Sequence, residues 1–449
     1  MSTFPKDFIW GAACSSYQSE GAWDADGKGP SIWDDFSHFT GQGHVVNDEN
    51  ADIACDSYHR YKEDVALMKQ VGLQAFRLSI SWPRVLPMGT GAVNAAGLDF
   101  YDRFVDELIA NGITPMLTLY HWDLPSALQE KGGWLNRETI DAFGAYAALI
   151  GKHFDGRVKY YMPINEPQCI VHCGHNNLEH APGIKLDSFG LLKAYHHIAL
   201  ASSVAAKALR KASSAPILVG TAMCGRICYP ETPGEENEAA AYEATFKLSE
   251  NDWAFTYNIE ADPLLLKKYP DDAPAVVKAF EKTIPQSDWD MMEPFDFFGT
   301  NIYNATPVDA NGKPIDFYTG YPQTALKWAI SAEAIEYGVK FLHKRYGLPI
   351  IITENGLSCN DRIFLDGGVH DPNRIDFLNR YLLGLKNAKD AGAEVKGYLH
   401  WSFLDNFEWA KGYSERFGLV FVDYPTQKRI LKDSALWYAD VIKTNGDNL

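Results

Sequence analysis

The feature that most constrains this chain is a repeated beat, in which short apolar runs alternate with stretches of helical periodicity closed by glycine. Such runs suit buried parallel strands, because a strand covered on both faces needs no polar alternation. Candidate strands begin near Phe8, Ala75, Thr114, Lys159, Ile217, Asp296, Pro349 and Lys396. Between them, Tyr61, Val65, Met68 and Val71 form an apolar stripe before Gly72. Phe100, Phe104 and Leu108 form a second before Gly112, and Ile335, Val339 and Leu342 a third before Gly347. Asp371 and Pro372 read as the N-cap and first residue of a further helix through Ile375, Leu378 and Leu382. Eight strands interleaved with helices predict an α/β fold, a closed parallel (β/α)8 barrel with extended βα loops. The competitor is a doubly wound sheet, but no glycine-rich nucleotide turn follows an early strand.

No low-complexity tract, Ser/Pro linker or composition shift breaks the chain, so residues 1–449 are expected to form one barrel domain. The hydrophobic fraction of 46% is globular, and no apolar run is long enough to predict a membrane span. Met1 to Phe8 lack a basic segment leading into an apolar core, so a cytoplasmic location is expected. The net charge of −17 argues against nucleic acid or an anionic membrane as partner. Seven cysteines, an odd number, do not resemble a disulfide framework and fit a reducing compartment. Twelve Trp and 23 Tyr admit sugar recognition, since pyranose C–H faces stack on rings, but on composition alone core packing is the preferred explanation.

A barrel enzyme assembles its site at the carboxyl ends of its strands. Polar or charged residues fall there in seven of the eight: Gln18, Arg77, His121-Trp122, Asn165-Glu166, Asn301 with Tyr303, Glu354-Asn355, and His400-Trp401 followed by Glu408-Trp409. One buried His or Arg is more often a satisfied structural group than a catalyst. Structural needs alone would not confine polar groups to one rim. Glu166 and Glu354 end the fourth and seventh strands, which face each other across a barrel. Glycosidic cleavage needs a proton for the leaving oxygen and support for a cationic transition state, and two carboxyl groups supply both.

Six segments then carry a resemblance: Phe8 to Ala12 (FIWGA), Arg77 to Arg84 (RLSISWPR), His121 to Pro125 (HWDLP), Asn165-Glu166-Pro167, Thr353 to Gly356 (TENG) and His400 to Trp409 (HWSFLDNFEW). In this order, from about Phe8 to Tyr438, the chain resembles glycoside hydrolase family 1, the bacterial β-glucosidases. The resemblance implies a TIM barrel and retaining hydrolysis, with Glu166 as acid/base and Glu354 as nucleophile. It implies Arg77, Asn301 and Tyr303 around the nucleophile, and Gln18, His121, Trp122, Asn165, Glu408 and Trp409 around the non-reducing sugar. Trp401 matches the platform beneath that ring and Trp328 an aromatic wall for the leaving portion. Arg77 and Tyr303 are expected to lower the pKa of Glu354, whose charge would raise that of Glu166. Retention implies carboxyl groups roughly 5–5.5 Å apart. A carboxylate at Glu408 would repel a phosphate dianion, so the expected substrates are small neutral β-glycosides and short oligosaccharides, glucosides foremost, with galactosides and fucosides open. Cellulose-derived sugars fit that class. No cofactor and no metal are expected, and the oligomeric state stays open.

The chain departs from the family pattern where an aromatic commonly follows NEP, since Gln168 stands there. Gln168, Asn177 and His180 are expected to make the entrance polar and to weaken binding of aryl leaving groups. That polar entrance also encourages a transglycosidase alternative, and a non-catalytic sugar-binding relative is the other. Cys169, His172, Cys173 and His175, with Cys224 and Cys228, admit a zinc reading. Packing of small apolar thiols is preferred.

Overall fold

The computed structural model describes residues 3–39 and 43–449, so Met1 and Ser2 of the N-terminal stretch lie outside the described residues. Eight parallel strands form the central sheet: β1 (Ile9–Ala13), β2 (Ala75–Ser79), β3 (Thr114–Tyr120), β4 (Tyr160–Ile164), β5 (Leu218–Val219), β6 (Phe298–Asn301), β7 (Ile350–Asn355) and β8 (Val395–Trp401). Each begins within two residues of its expected position. Their spatial order is β5-β4-β3-β2-β1-β8-β7-β6. Parallel bridges Gly220↔Phe297 and Met223↔Thr300 bring β6 back to β5 and close the barrel. At this seam a Cβ on Gly299 would run into the Thr221 carbonyl oxygen, so only glycine permits the approach.

The helices follow from their stripes. In α1 (Ser57–Val71), Tyr61, Val65, Met68 and Val71 are all buried, and Gly72 ends the helix at φ 82°. In α2 (Ala95–Ala110), Phe100, Phe104 and Leu108 face inward. α3 (Glu138–His153) and α4 (Ser188–Ala212) pack against each other outside β4. α5 (Glu333–Tyr346) buries Ile335, Val339 and Leu342 before Gly347, and α6 (Pro372–Asp390) buries Leu378 and Leu382 but only partly Ile375. Asp371 occupies the N-cap position without capping. Its carboxylate instead accepts from the Ser434 backbone N–H and hydroxyl and pairs with Arg374. The buried Arg374 guanidinium outcompetes the helix amides for it.

Inside the barrel, Ala75, Met116, Met162, Phe297, Ile351 and Leu399 form an apolar layer. Two residues further along β2 and β3 the same face turns polar, with Arg77 Nε donating to Thr118 Oγ1 at 2.9 Å. The transition from apolar plug to polar rim places the site at the carboxyl ends. Among the described residues no helix is long and apolar enough to cross a membrane.

Candidate active site

The carboxyl ends open into a cavity of about 410 Å³, within the size range of small-molecule sites. Glu166 and Glu354 both line it, 6% and 3% exposed. Strand period would alternate Ile351, Thr353 and Asn355 inward and turn Glu354 away. A bulge intervenes: Tyr398 and His400 of β8 pair with Ile352 and Asn355 of β7, and Thr300 and Asn301 of β6 pair with Ile352 and Glu354. β7 thus carries one residue more than either neighbour, which re-aims Glu354 into the cavity. Glu166 lies just past β4 with φ 44°, its N–H donating to the Ala222 carbonyl at 2.7 Å. Trp122 and Trp409 share this left-handed backbone, at φ 78° and 46°. Such residues cost of order 1–3 kcal/mol each and persist where surrounding structure holds them.

Around Glu354, Arg77 Nη1 donates to Oε1 at 2.6 Å and the Tyr303 hydroxyl donates to Oε2 at 2.8 Å. Arg77 Nη2 reaches Asn165 Oδ1 at 2.7 Å. Asn301, expected beside the nucleophile, serves the other carboxyl: its Nδ2 donates to Glu166 Oε1 at 2.8 Å and to Asn165 Oδ1 at 3.1 Å. The reason is β6 geometry, since Thr353 Oγ1 donates to Asn301 Oδ1 at 2.6 Å and leaves the amide nitrogen to point at Glu166.

The electrostatics correct one expectation. Burial pushes Glu354 up to about 7, although Arg77 pulls down and Glu166 adds to the rise. The expected lowering by Arg77 and Tyr303 is present but smaller than the desolvation. Glu166 is raised as well, by burial, against the Asn301 bond. Arg77 touches Glu354 and no cation pairs with Glu166 among the described residues, so the first negative charge of the pair rests on Glu354. Burial and the charges of Glu354, Glu415 and Glu166 push Glu408 up to about 8. The rise favours the protonated Glu408 carboxyl, which both donates and accepts, over the charged group expected. It still offers a phosphate no cation.

His121 lines the cavity, and burial with the nearby Arg77 charge holds its pKa well below the usual imidazole range. Its Nε2 accepts from Asn165 Nδ2 at 3.1 Å, leaving the buried Nδ1–H with no partner among the described residues. Trp122, Trp401, Trp409, Tyr303, Trp328 and His180 also line the cavity. Trp122 and Trp409 rings are 4.5 Å apart, and Tyr303 meets Trp328 edge-on at 5.4 Å. Gln18, Arg77 and Asn165 sit behind the lining. Gln18 Nε2 donates to the Phe407 carbonyl at 2.9 Å and reaches Glu408 Oε2 at 3.5 Å.

Two entrance residues lie elsewhere. Gln168 is fully buried, donates to the Thr256 carbonyl at 3.3 Å and does not line the cavity. Asn177 is exposed, its Oδ1 accepting from the Glu179 N–H. Gln168 does not make the entrance polar, because the helical turn after Glu166 points it into the protein, while Asn177 is outside the lining but bonds the rim residue Glu179. The structure adds Phe417, Leu326, Phe255 and the rim pair Glu179–Lys411 at 2.9 Å to the lining. None of them sits at a strand end, so no strand-end signal marks them in the sequence. Of the cysteines and histidines that admit zinc, His172 bonds Asn176, His175 bonds the Ile184 carbonyl and Cys228 packs beside Thr245. Cys169, Cys173 and Cys224 line the cavity.

Known proteins resemble this chain over nearly its whole length. The profile of "Glycosyl hydrolase family 1" matches residues 1–447. Beta-glucosidase A of Thermotoga maritima is 42% identical, over 99% of this chain and 98% of its own length. A bifunctional beta-D-glucosidase/beta-D-fucosidase of Bifidobacterium breve is 37% identical, over 97% of each. The solved beta-glucosidase from Thermotoga maritima in complex with glucoimidazole matches 99% of each chain at a TM-score of 0.88 and 41% identity. Agreement of sequence and fold over so much of its length leaves one assignment: the chain belongs to glycosyl hydrolase family 1.

Proposed function

We propose that the chain is a retaining β-glucosidase in which Glu354 is the nucleophile and Glu166 the acid/base. The observation that carries the division of roles is the Arg77–Glu354 contact at 2.6 Å, with no ion pair on Glu166 among the described residues. Glu354 attacks the anomeric carbon while Glu166 protonates the departing oxygen, giving a glycosyl ester on Glu354. Consuming the charge of Glu354 lowers the pKa of Glu166, which then takes a proton from the attacking water. The Tyr303 hydroxyl, held protonated by burial and by Glu354, donates throughout. His121 and Glu408, both in the cavity lining, are the groups offered to hydroxyls of the terminal sugar, and Trp401 lies beneath the ring.

Terminal β-glucosides, including short cello-oligosaccharides, are the substrates this lining favours, with β-fucosides tolerated as in the Bifidobacterium breve relative. A reducing, cytoplasmic setting fits the odd number of cysteines, seven in the chain. The test is hydrolysis of 4-nitrophenyl β-glucoside followed by NMR. Release of β-glucose first supports the reading, whereas α-glucose first, or activity surviving in Glu354→Ala, overturns it.

A further inference from the structure

The wall beside Glu166 carries three thiols. Cys169 and Cys173 sit on the helical turn after β4, and Cys224 lies beyond β5. Cys169 Sγ and Cys224 Sγ are 3.7 Å apart. With a carboxylate oxygen of Glu166, their ligand atoms all lie within 4.8 Å of one another. Two sulfurs held tetrahedrally by zinc, each at about 2.3 Å, stand about 3.8 Å apart. The two thiols already have the separation that a bound thiophilic cation imposes. Glu166 adds an oxygen donor, and the cavity leaves room for water as fourth ligand.

We propose that Cys169, Cys224 and Glu166 form an inhibitory site for a thiophilic divalent cation of the zinc class, which removes the Glu166 carboxyl from the reaction when bound. This rests on reading Glu166 as the acid/base. The cation displaces one proton from each thiol and holds both sulfurs as thiolates. Burial pushes the Cys224 thiol up to about 12, so without the cation that sulfur carries its proton. The site is thus unlike a structural zinc centre, whose protein ligands fill the coordination sphere. It is a reversible stop at the catalytic wall.

The test uses the full-length protein and cadmium chloride alone as probe. Cadmium binding is followed by calorimetry and by the ultraviolet thiolate-to-cadmium charge-transfer band, alongside hydrolysis of 4-nitrophenyl β-glucoside. The expected result is one cation per chain, appearance of the band, loss of hydrolysis and its return with EDTA. Cys224→Ser, and separately Cys169→Ser, lose the band and the inhibition, each variant being compared with itself without cadmium. Either variant serves if the other fails to fold. A band unchanged in the double variant, or no binding at one per chain, overturns the site. Binding with full hydrolysis overturns its inhibitory role. Azide rescue of Glu166→Ala, measured without cadmium, tests the acid/base reading separately from the metal site.

Discussion

Arg77 Nη1 meets Glu354 Oε1 at 2.6 Å, both side chains almost fully buried, while Nη2 of the same guanidinium holds Asn165, the neighbour of Glu166. One cation thus touches one carboxyl directly and the other only through an amide. The asymmetry decides which glutamate carries the charge. Loss of this fork has a defined effect. Arg77→Gln should move the low-pH limb of kcat/KM to higher pH, because Glu354 loses the contact that favours its ionised form. Breaking a buried pair commonly costs about 3–5 kcal/mol, so Tm should fall as well. A pH–rate profile and a melting curve check both. Arg77→Lys should not restore the profile, since a point charge cannot hold Glu354 and Asn165 together.

The pH dependence has a definite sign. On the proposed roles Glu354 must be ionised to attack, so kcat/KM should fall as pH drops through about 7. Glu166 must be protonated to assist departure, so the rate should fall again as pH rises through its raised pKa. Glu166→Gln is as neutral as the protonated acid it replaces, so the alkaline limb should disappear while the acidic limb stays in place. An activated aryl glucoside, which needs little proton donation, makes that limb measurable.

Tyr303 donates to Glu354 Oε2 at 2.8 Å. A hydrogen bond to a charged group contributes about 1.5–3 kcal/mol, so Tyr303→Phe should lower kcat/KM roughly 10- to 100-fold. The fold should be unaffected, and circular dichroism with steady-state kinetics separates the two.

Glu408 is raised to about 8 in the folded protein. A carboxyl whose folded pKa exceeds its unfolded one contributes stability at low pH that is lost as pH rises from the unfolded value through about 8. Glu408→Gln removes that dependence. Its Tm relative to the parent should therefore increase steadily between acidic and mildly alkaline pH, as read by melting curves across that range.

Gln168 is buried away from the cavity, so Gln168→Trp should act through packing. Inserting the larger ring should destabilise by about 1–3 kcal/mol and leave the kcat/KM ratio of aryl to disaccharide substrates unchanged. Trp328→Ala, which opens the cavity wall, should move that ratio against aryl leaving groups.

The barrel was legible because its strands are covered on both faces and its helices on one, which writes apolar runs and stripes into consecutive residues. Tyr61, Val65, Met68 and Val71 need no distant partner to be recognised as one face. The two glutamates were legible for the same local reason, since each lies at the end of a strand.

What only the tertiary structure decided is which way these side chains point and how their charges settle. A two-residue period turns Glu354 out of the barrel, and the register against β6 and β8 supplies the bulge that turns it in. Neighbouring strands far apart in sequence set that register, as they set Asn301 on Glu166 instead of Glu354. The pKa values of Glu354 and Glu408 depend on desolvation by walls drawn from the whole chain. Direction and dielectric belong to the closed barrel, because both arise from atoms that adjoin only after folding.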